Sequence, residues 1–275
     1  MKNVSVVIPT YNGKKLLEKH LPAVFLCMRK GDELIIIDDA SSDGTADWLE
    51  KKYQNIKILS NKENLRFAAT ANRGVKLAKY NLVFLVNNDV TPHKDCLKYL
   101  IPHFEDKKVF AVGCLEIEKN ELGGKNKLEF KRGLFVHFRA TEFSSGETAW
   151  VSGGSGMFDR NKWLKLGGFN LDYYPAYWED VDLSFRARKK SWKILFEAKA
   201  QVDHRHEITN KSVFGQEKIE VMSIKNSLVF LWKNASLTQK FLHLFWLPYH
   251  LTITNKKMHG NFLKGFLKYL SSLGH

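Results

Sequence analysis

LVFLVNNDV, residues 82–90, changes character abruptly, because an unbroken apolar run ends in Asn87, Asn88 and Asp89. Such a run reads as a strand buried on both faces. The three polar groups after it need water, a hydrogen-bond partner or a ligand. Asn and Asp are ordinary turn residues, so alone they mark no more than a solvated loop.

The surroundings of the run change that reading. Three more β-rich segments precede it, VSVVI at 4–8, ELIIID at 33–38 and IKILS at 56–60. Helical stripes separate them: Leu16, Leu17, Leu21 and Val24, with Pro22 bending the helix or lying near its end; Ala46, Trp48, Leu49 and Tyr53, capped by Ser42 or Asp43; and Ala68, Ala71, Val75 and Ala78. Strand and helix alternating in this way predict parallel βαβ units in an α/β sheet. Ligands of such sheets collect at the carboxyl ends of the strands. The segments PTYN at 9–12, DDASSDGT at 38–45 and NND at 87–89 would therefore share one rim.

Beyond residue 105 the pattern is mixed. Strands are expected at 109–117, 128–138 and 148–158, and NKWLKLGGF reads as a short helix closed by Gly167 and Gly168. In VSGGSGMF, Gly153 and Gly154 allow a ligand or another backbone to come close, or mark a bulge. No internal repeat or low-complexity linker divides the chain.

The 275 residues, 44% hydrophobic, suffice for one large globular domain with an appendage. Cys27, Cys96 and Cys114 lack CxxC spacing and suit reduced core thiols, and the N-terminal segment is too short in its apolar stretch for a secretory signal. Both point to a cytoplasmic protein. The net charge of +14 favours an anionic partner. Nucleic acid is not the expected one, because no P-loop, zinc-finger or RNA-recognition pattern is present. After Glu220 the chain carries Lys225, Lys233, Lys240, Lys256, Lys257, Lys264 and Lys268 and no acid.

Two further clusters could carry chemistry. In YYPAYWEDVDLSFRARKKSW, 173–192, Glu179 and Asp180 fall at the start of a helix, where carboxylates are stabilised structurally. Trp178 and Tyr173, Tyr174 and Tyr177 beside them also suit a sugar ring whose hydroxyl Asp180 would deprotonate. In VDHRHEIT, 202–209, His204 and His206 alternate as on a strand, either as ordinary polar residues or as ligands sharing a divalent cation with Asp89.

VSVVIPTYNG, IIIDDASSDGTADWL, NLRFAATANRGVKLA, LVFLVNNDVTP, WVSGGSGMF, LGGFN and YWEDVDLSFRARKKSWKI occur in order. Together, from Val4 to His206, they closely resemble the family 2 glycosyltransferases of GT-A fold, most of all bacterial enzymes that transfer rhamnose or related sugars in surface-polysaccharide assembly. The resemblance implies a Rossmann-like mixed α/β sheet flanked by helices, with a catalytic domain over 1–214 and a C-terminal helical region over 215–275. It implies that Pro9, Thr10 and Tyr11 hold the nucleobase, that Asp39 binds the base edge or ribose, and that Asp38 supports it. Asp89 matches the metal-binding acid of the DxD position, and Asn88 lies near the sugar or ribose. Asp180 matches the catalytic base, with Gly153, Gly154, Trp178 and Glu179 around the sugar or acceptor. His204 is the expected metal-ligand histidine and His206 the reserve. The implied chemistry is inverting transfer from a UDP- or dTDP-sugar to a glycan or lipid-linked hydroxyl, with Mg²⁺ or Mn²⁺ on the diphosphate.

Two departures stand out. Asn87 replaces the first acid of DxD, which leaves open a protein that binds nucleotide or glycan without transfer. Arg66 replaces a frequent glycine and could pair with a donor phosphate or be a solvated cation. In the C-terminal region the apolar run Phe241–Ile253 has thirteen residues, short of the about 20 that span a bilayer. Amphipathic helices there would lie on the inner membrane face, with Trp232, Phe245, Trp246 and Tyr249 at headgroup depth, or pack on the catalytic domain or a partner subunit.

Overall fold

The computed structural model describes residues 2–119, 121–204 and 215–274. Strands β1 (Val4–Thr10), β2 (Glu33–Asp38), β3 (Lys57–Ser60) and β4 (Leu82–Val86) are parallel and ordered β4-β1-β2-β3. Side chains alternate across a strand, so each of these runs feeds two cores. In β4, Leu82, Phe84 and Val86 join Val4, Val6, Ile8, Leu17 and Leu21 on one face. Val83 and Leu85 join Val7, Ile37, Ala71, Val75 and Leu183 on the other. That two-sided burial is why the opening stretch has no polar residue before Asn87.

Helices α1 (Lys14–Cys27), α2 (Thr45–Lys52) and α3 (Arg66–Leu77) make the crossovers. Helix α1 continues on both sides of Pro22, which is neither at an end nor a break. Helix α2 takes Gly44, at φ 78°, as its N-cap residue rather than Ser42 or Asp43. Asp43 acts one position earlier, accepting from the amides of Thr45 and Lys14, each at 3.1 Å, and so ties α2 to α1.

The sheet continues through β5 (Val90–Pro92), β6 (Val109–Glu118), β7 (Glu121–Gly123), β10 (Gly146–Glu147), β11 (Ser155–Asp159) and β12 (Lys193–His204), with the remaining order β10-β12-β6-β11-β4. β11 is antiparallel to both neighbours, making the sheet mixed. The short α4 (Cys96–Leu100) and α5 (Arg160–Lys165) pack on it, and Gly167 and Gly168, at φ 77° and 73°, close α5 as expected.

Two expected strands differ. Residues 128–138 form a hairpin, β8 (Asn126–Lys131) and β9 (Leu134–Arg139), turning at Arg132 and Gly133. In 148–158 only β11 is extended, because Ser152, Gly153 and Gly154 loop toward the β4 end, where the Asn87 amide donates to the Gly154 carbonyl at 2.9 Å. All three cysteines are buried and free.

Helix α6 (Glu179–Lys189) precedes β12, and α7 (Gln216–Asn234), α8 (Leu237–Tyr249) and α9 (Asn261–Ser271) complete the chain. Leu228, Phe230 and Leu231 of α7 share a cluster with Phe135, Tyr173, Trp178 and Val181, and with Phe262 and Tyr269 of α9. Helix α7 is thus part of the core beneath α6. Among the described residues no helix is long and apolar enough to cross a membrane.

Candidate active site

The carboxyl ends of β1, β2 and β4 do meet in one cleft. The Asp39 amide donates to the Thr10 carbonyl at 2.8 Å, the Asn12 amide to Ser41 Oγ at 2.7 Å, and the Ser42 amide to Asn12 Oδ1 at 2.8 Å. The adjoining cavity has a volume of about 400 Å³, within the range of small-ligand sites. Of the expected residues, Pro9, Thr10, Tyr11, Asp39, Arg66, Asn88, Asp89, Gly153, Gly154, Glu179, Asp180 and His204 all line it.

Asp38 and Trp178 do not. Asp38 is buried behind the rim, where its Oδ2 accepts from the Ser41 amide at 3.1 Å. Trp178 packs between His137, edge-on at 4.8 Å, and Phe230, tilted at 5.1 Å, and its indole N–H donates to Ser223 of α7. The aromatic crowd expected at the sugar is mostly core, since α7 covers Trp178 and Tyr173. Tyr177 alone of that group faces the cavity. Its loop is held by the fully buried Asn226 of α7, whose Nδ2 donates to the carbonyls of Tyr173, Ala176 and Tyr177 at 2.8–3.0 Å.

At the β2 end of the cleft, Asp39 accepts from three amide donors. Its Oδ1 accepts from Leu65 N at 2.8 Å and Asn61 Nδ2 at 2.6 Å, and its Oδ2 from Arg66 N at 2.9 Å. It thereby caps α3 from another strand and satisfies donors that a helix start leaves open. Arg66, the first residue of α3, has φ 68°, a left-handed conformation costing about 1–2 kcal/mol for a residue with a Cβ. A glycine would sit there without strain. Among the described residues Arg66 is the only Arg or Lys lining the cavity, which Asp39, Asp89, Glu179 and Asp180 also line.

At the far end, β5 pairs antiparallel with β12, with Val90 opposite His204, and this brings Asp89 to the histidine. His204 Nε2 lies 3.6 Å from Asp89 Oδ1, and Nδ1 lies 3.8 Å from Glu116 Oε1. Burial lowers the pKa of His204, but the two carboxylates more than offset this and raise it to about 10. Glu116, on β6, also accepts from the Ser155 hydroxyl. It lies behind the site and is absent from the expected set; its signal was the first of two acids that end the run FAVGCLEIE, just past its buried part.

Asp89 and His204 fit a divalent cation. Their polar atoms are separated by little more than the about 3 Å between neighbouring ligands of an octahedral Mg²⁺ or Mn²⁺. A carboxylate behind the other ring nitrogen is the usual support of a ligating histidine. No group of three His, Cys, Asp or Glu side chains is assembled for a metal among the described residues. A cation held there would have two ligands from these residues, and Mg²⁺-type sites commonly take several further ligands from phosphate and water. His206 lies outside the described residues.

Glu179 and Asp180 open α6 after Tyr177 and Trp178, both of positive φ, at 74° and 78°. Burial raises the pKa of both carboxyls, that of Glu179 further because of the Asp180 charge. Amides of Val181 and Gly153 act oppositely on Asp180, the former at 2.8 Å from Oδ1. A Cβ on Gly153 would meet Phe169 and Phe67 at 2.8 and 3.1 Å, and one on Gly154 would meet Asn87 at 2.5 Å. These glycines make room for neighbouring side chains at the cleft wall, whereas VSGGSGMF was expected to admit a ligand or another backbone or to mark a bulge.

A sheet of this kind, with a nucleotide-sized cleft at its carboxyl rim, is that of the GT-A glycosyltransferases. It aligns with GalNAc-T7 bound to UDP, GalNAc and Mn²⁺ at TM-score 0.67 and 18% identity, covering 84% of this chain and 48% of that one. The mannosyltransferase PcManGT of Pyrobaculum calidifontis, with GDP-Man and Mn²⁺, gives TM-score 0.62 at 16% identity, covering 98% and 87%. S. aureus TarS 1–349 with UDP-GlcNAc gives 0.63 at 15%, covering 98% and 81%.

Residues 5–166 match the model of glycosyl transferase family 2, and the chain belongs to that family. It is 26% identical over 202 residues to poly-beta-1,6-N-acetyl-D-glucosamine synthase of Staphylococcus aureus, covering 72% of this chain and 48% of that protein. The chain thus spans about half the length of that relative. It is 25% identical to the O-antigen chain rhamnosyltransferase WbaN of Salmonella anatum, covering 94% and 88%.

Proposed function

We propose that this protein is an inverting glycosyltransferase moving a sugar from a UDP- or dTDP-linked donor to a hydroxyl of a glycan or lipid-linked acceptor at the inner face of the cell membrane. One observation carries the reading: Asp39, Asp89 and Asp180, from loops far apart in sequence, line a single cavity. Strands β2, β1 and β4 are neighbours, so at about 4.8 Å per strand the first two acids stand roughly 10 Å apart across the rim. That separation suits a nucleoside at one end and its diphosphate at the other.

The roles follow from the chemistry of each group. Pro9, Thr10 and Tyr11 form one wall of the nucleoside end, and Asp39 uses the lone pairs its three donors leave open to accept from the base or ribose. Asn88 Nδ2 donates to Thr10 Oγ1 at 2.7 Å, which links the base loop to the sugar end. Arg66 offers a bidentate donor to phosphate oxygens. Asp89 and His204 would hold Mg²⁺ or Mn²⁺, which when bound neutralises the charge gathering on the diphosphate leaving group. Asp180, raised toward neutral pH, accepts the proton of the attacking hydroxyl. Attack on the side opposite the leaving group inverts the anomeric carbon without a covalent intermediate. The buried Glu179 stays protonated beside Asp180 and leaves that single charge on the base.

The Mn²⁺ bound to GalNAc-T7 and PcManGT supports the cation, and the UDP of GalNAc-T7 and UDP-GlcNAc of TarS support a nucleotide-sugar donor. A panel of UDP-, dTDP- and GDP-sugars, read by nucleotide release with Mg²⁺, Mn²⁺ or EDTA, tests it. Cation-dependent release from one donor class is expected. Nucleotide binding with no release from any donor would instead make this a binding protein that has lost transfer, and binding of none would end the reading.

A further inference from the structure

The C-terminal helices carry a feature the transfer chemistry does not use. A helix on a folded domain normally turns its apolar stripe inward. Helix α8 does the reverse. Leu237, Phe241, Leu244 and Phe245 repeat at helical spacing along one side and are 85%, 71%, 53% and 69% exposed. Its inner side packs Leu247 on the core and is anchored by polar contacts as well. His243 Nδ1 meets the Gly133 carbonyl at 2.9 Å, His250 Nε2 just beyond the helix meets the Arg132 carbonyl at 2.7 Å, and the Arg132 guanidinium lies over Trp246 and Tyr249. The tip of the β8–β9 hairpin therefore holds α8 with its phenylalanines facing water.

Helix α9 repeats the arrangement. Phe262, Gly265 and Tyr269 are buried, and a Cβ on Gly265 would meet Ile224 of α7 at 2.6 Å, so this face is closely packed. Leu263, Leu267 and Leu270 form a second stripe in solvent. His250 stacks on Phe262 at 5.3 Å and joins the turn after α8 to α9.

The charge around these stripes selects their occupant. Lys240 on α8, Lys256 and Lys257 between the helices, and Lys264 and Lys268 on α9 lie on the same segments, Lys264 being paired with Glu217 of α7, and no acid follows Glu220. A second copy would set lysines against lysines, a repulsion with no carboxylate on these helices to offset it. An anionic bilayer supplies both an apolar layer and negative headgroups.

We propose that α8 and α9 lie in the plane of an anionic bilayer surface. They insert Leu237, Phe241, Leu244 and Phe245 from one helix and Leu263, Leu267 and Leu270 from the other, with the lysines at the headgroups. The expected anchors Trp232, Trp246 and Tyr249 are half-buried against the protein, and of that set Phe245 alone faces outward. The inference deepens the proposed function and rests on it for the purpose of the attachment, a lipid-linked acceptor, while its evidence is independent.

Flotation of the full chain with vesicles of phosphatidylcholine, with and without phosphatidylglycerol, tests it. The wild type should float with the anionic vesicles and be released by salt. F241S/F245S should partition at least tenfold less, with an unchanged thermal melt and unchanged nucleotide release from a donor in solution. Wild type remaining in the soluble fraction, or equal flotation of the variant, would overturn it. So would a concentration-dependent dimer in sedimentation that F241S/F245S abolishes, because the face would then belong to a second copy. Flotation lost as expected in the variant, with no donor turned over by either protein, would uphold the lipid surface and remove the transferase reading instead.

Discussion

The two ends of the cleft, at Asp39 and at Asp180, hold their carboxylates differently. Asp39 is surrounded by N–H donors from Asn61, Leu65 and Arg66, so its charge is satisfied before any ligand arrives and also fixes the start of α3. Asp180 also accepts from amides, those of Val181 and Gly153, but burial outweighs them and, with the Glu116 charge, raises its pKa. In the proposed reading the hydrogen-bonded carboxylate would hold a ligand, and the one whose anion burial makes costly would accept a proton. Binding and proton transfer would then be separated along one cavity.

Exchanging single groups should break this contrast in order of size. Asp180→Asn should reduce transfer by about 10²–10⁴-fold, the usual share of a general base, while UDP affinity by calorimetry stays within a few-fold. Equal turnover by the mutant would remove Asp180 from its role. In the wild type, Asp180 must be ionised to accept a proton, and its pKa is raised. The acid limb of kcat/KM should therefore lie above the ordinary aspartate range, and activity should grow as pH rises through it. The same raised pKa means that the carboxyl favours the folded state when protonated and that this contribution fades as pH rises through the folded value.

Glu116→Gln keeps the shape of the side chain but removes the charge behind His204. Mn²⁺ affinity with UDP present, read by electron paramagnetic resonance, should fall about 10–100-fold. An unaltered affinity would leave Glu116 with no part in orienting the ligand. Because cation binding to His204 must release the proton its neighbours hold, that affinity should also climb with pH in the wild type.

Asp39→Asn presents a donor where amides donate. It should cost about 1–3 kcal/mol, a fall in Tm of roughly 2–12 °C at 2–4 °C per kcal/mol, together with weaker UDP binding. Loss of UDP binding at an unchanged Tm would mean that Asp39 serves the ligand and not α3. Arg66→Gly should do the reverse. Relief of the left-handed residue should hold or raise Tm, by up to about 2–4 °C, while UDP affinity drops roughly tenfold with no comparable loss for uridine. Equal losses for UDP and uridine would place Arg66 away from the phosphates.

The sequence revealed most at the sheet centre, where two-sided burial leaves continuous apolar strands and the polar ends stand out sharply. It revealed less where partners are distant. The 128–138 hairpin was hidden because its turn, Arg132 and Gly133 at φ 46° and 76°, lacks the Asn-Gly or Asp-Gly pair that marks such turns. Trp178 was assigned to the sugar because aromatics beside acids suit both a ring and a core. Its covering helix α7 carries buried residues from Val221 to Asn234 around most of its circumference, so no single stripe shows what it packs against. Arg66 could be identified as a departure, but its left-handed backbone emerged only from the fold. Asn226, which holds the Tyr177 loop, left no local pattern at all.

The central claim is that nucleoside, diphosphate and acceptor meet along Asp39, Asp89 and Asp180. Anomalous diffraction from crystals grown with UDP and Mn²⁺ tests it most directly. A manganese peak bonded to Asp89 and His204 and to diphosphate oxygens, with the uracil beside Asp39, is the predicted result. Manganese and UDP bound elsewhere, with this cleft holding only solvent, would contradict it.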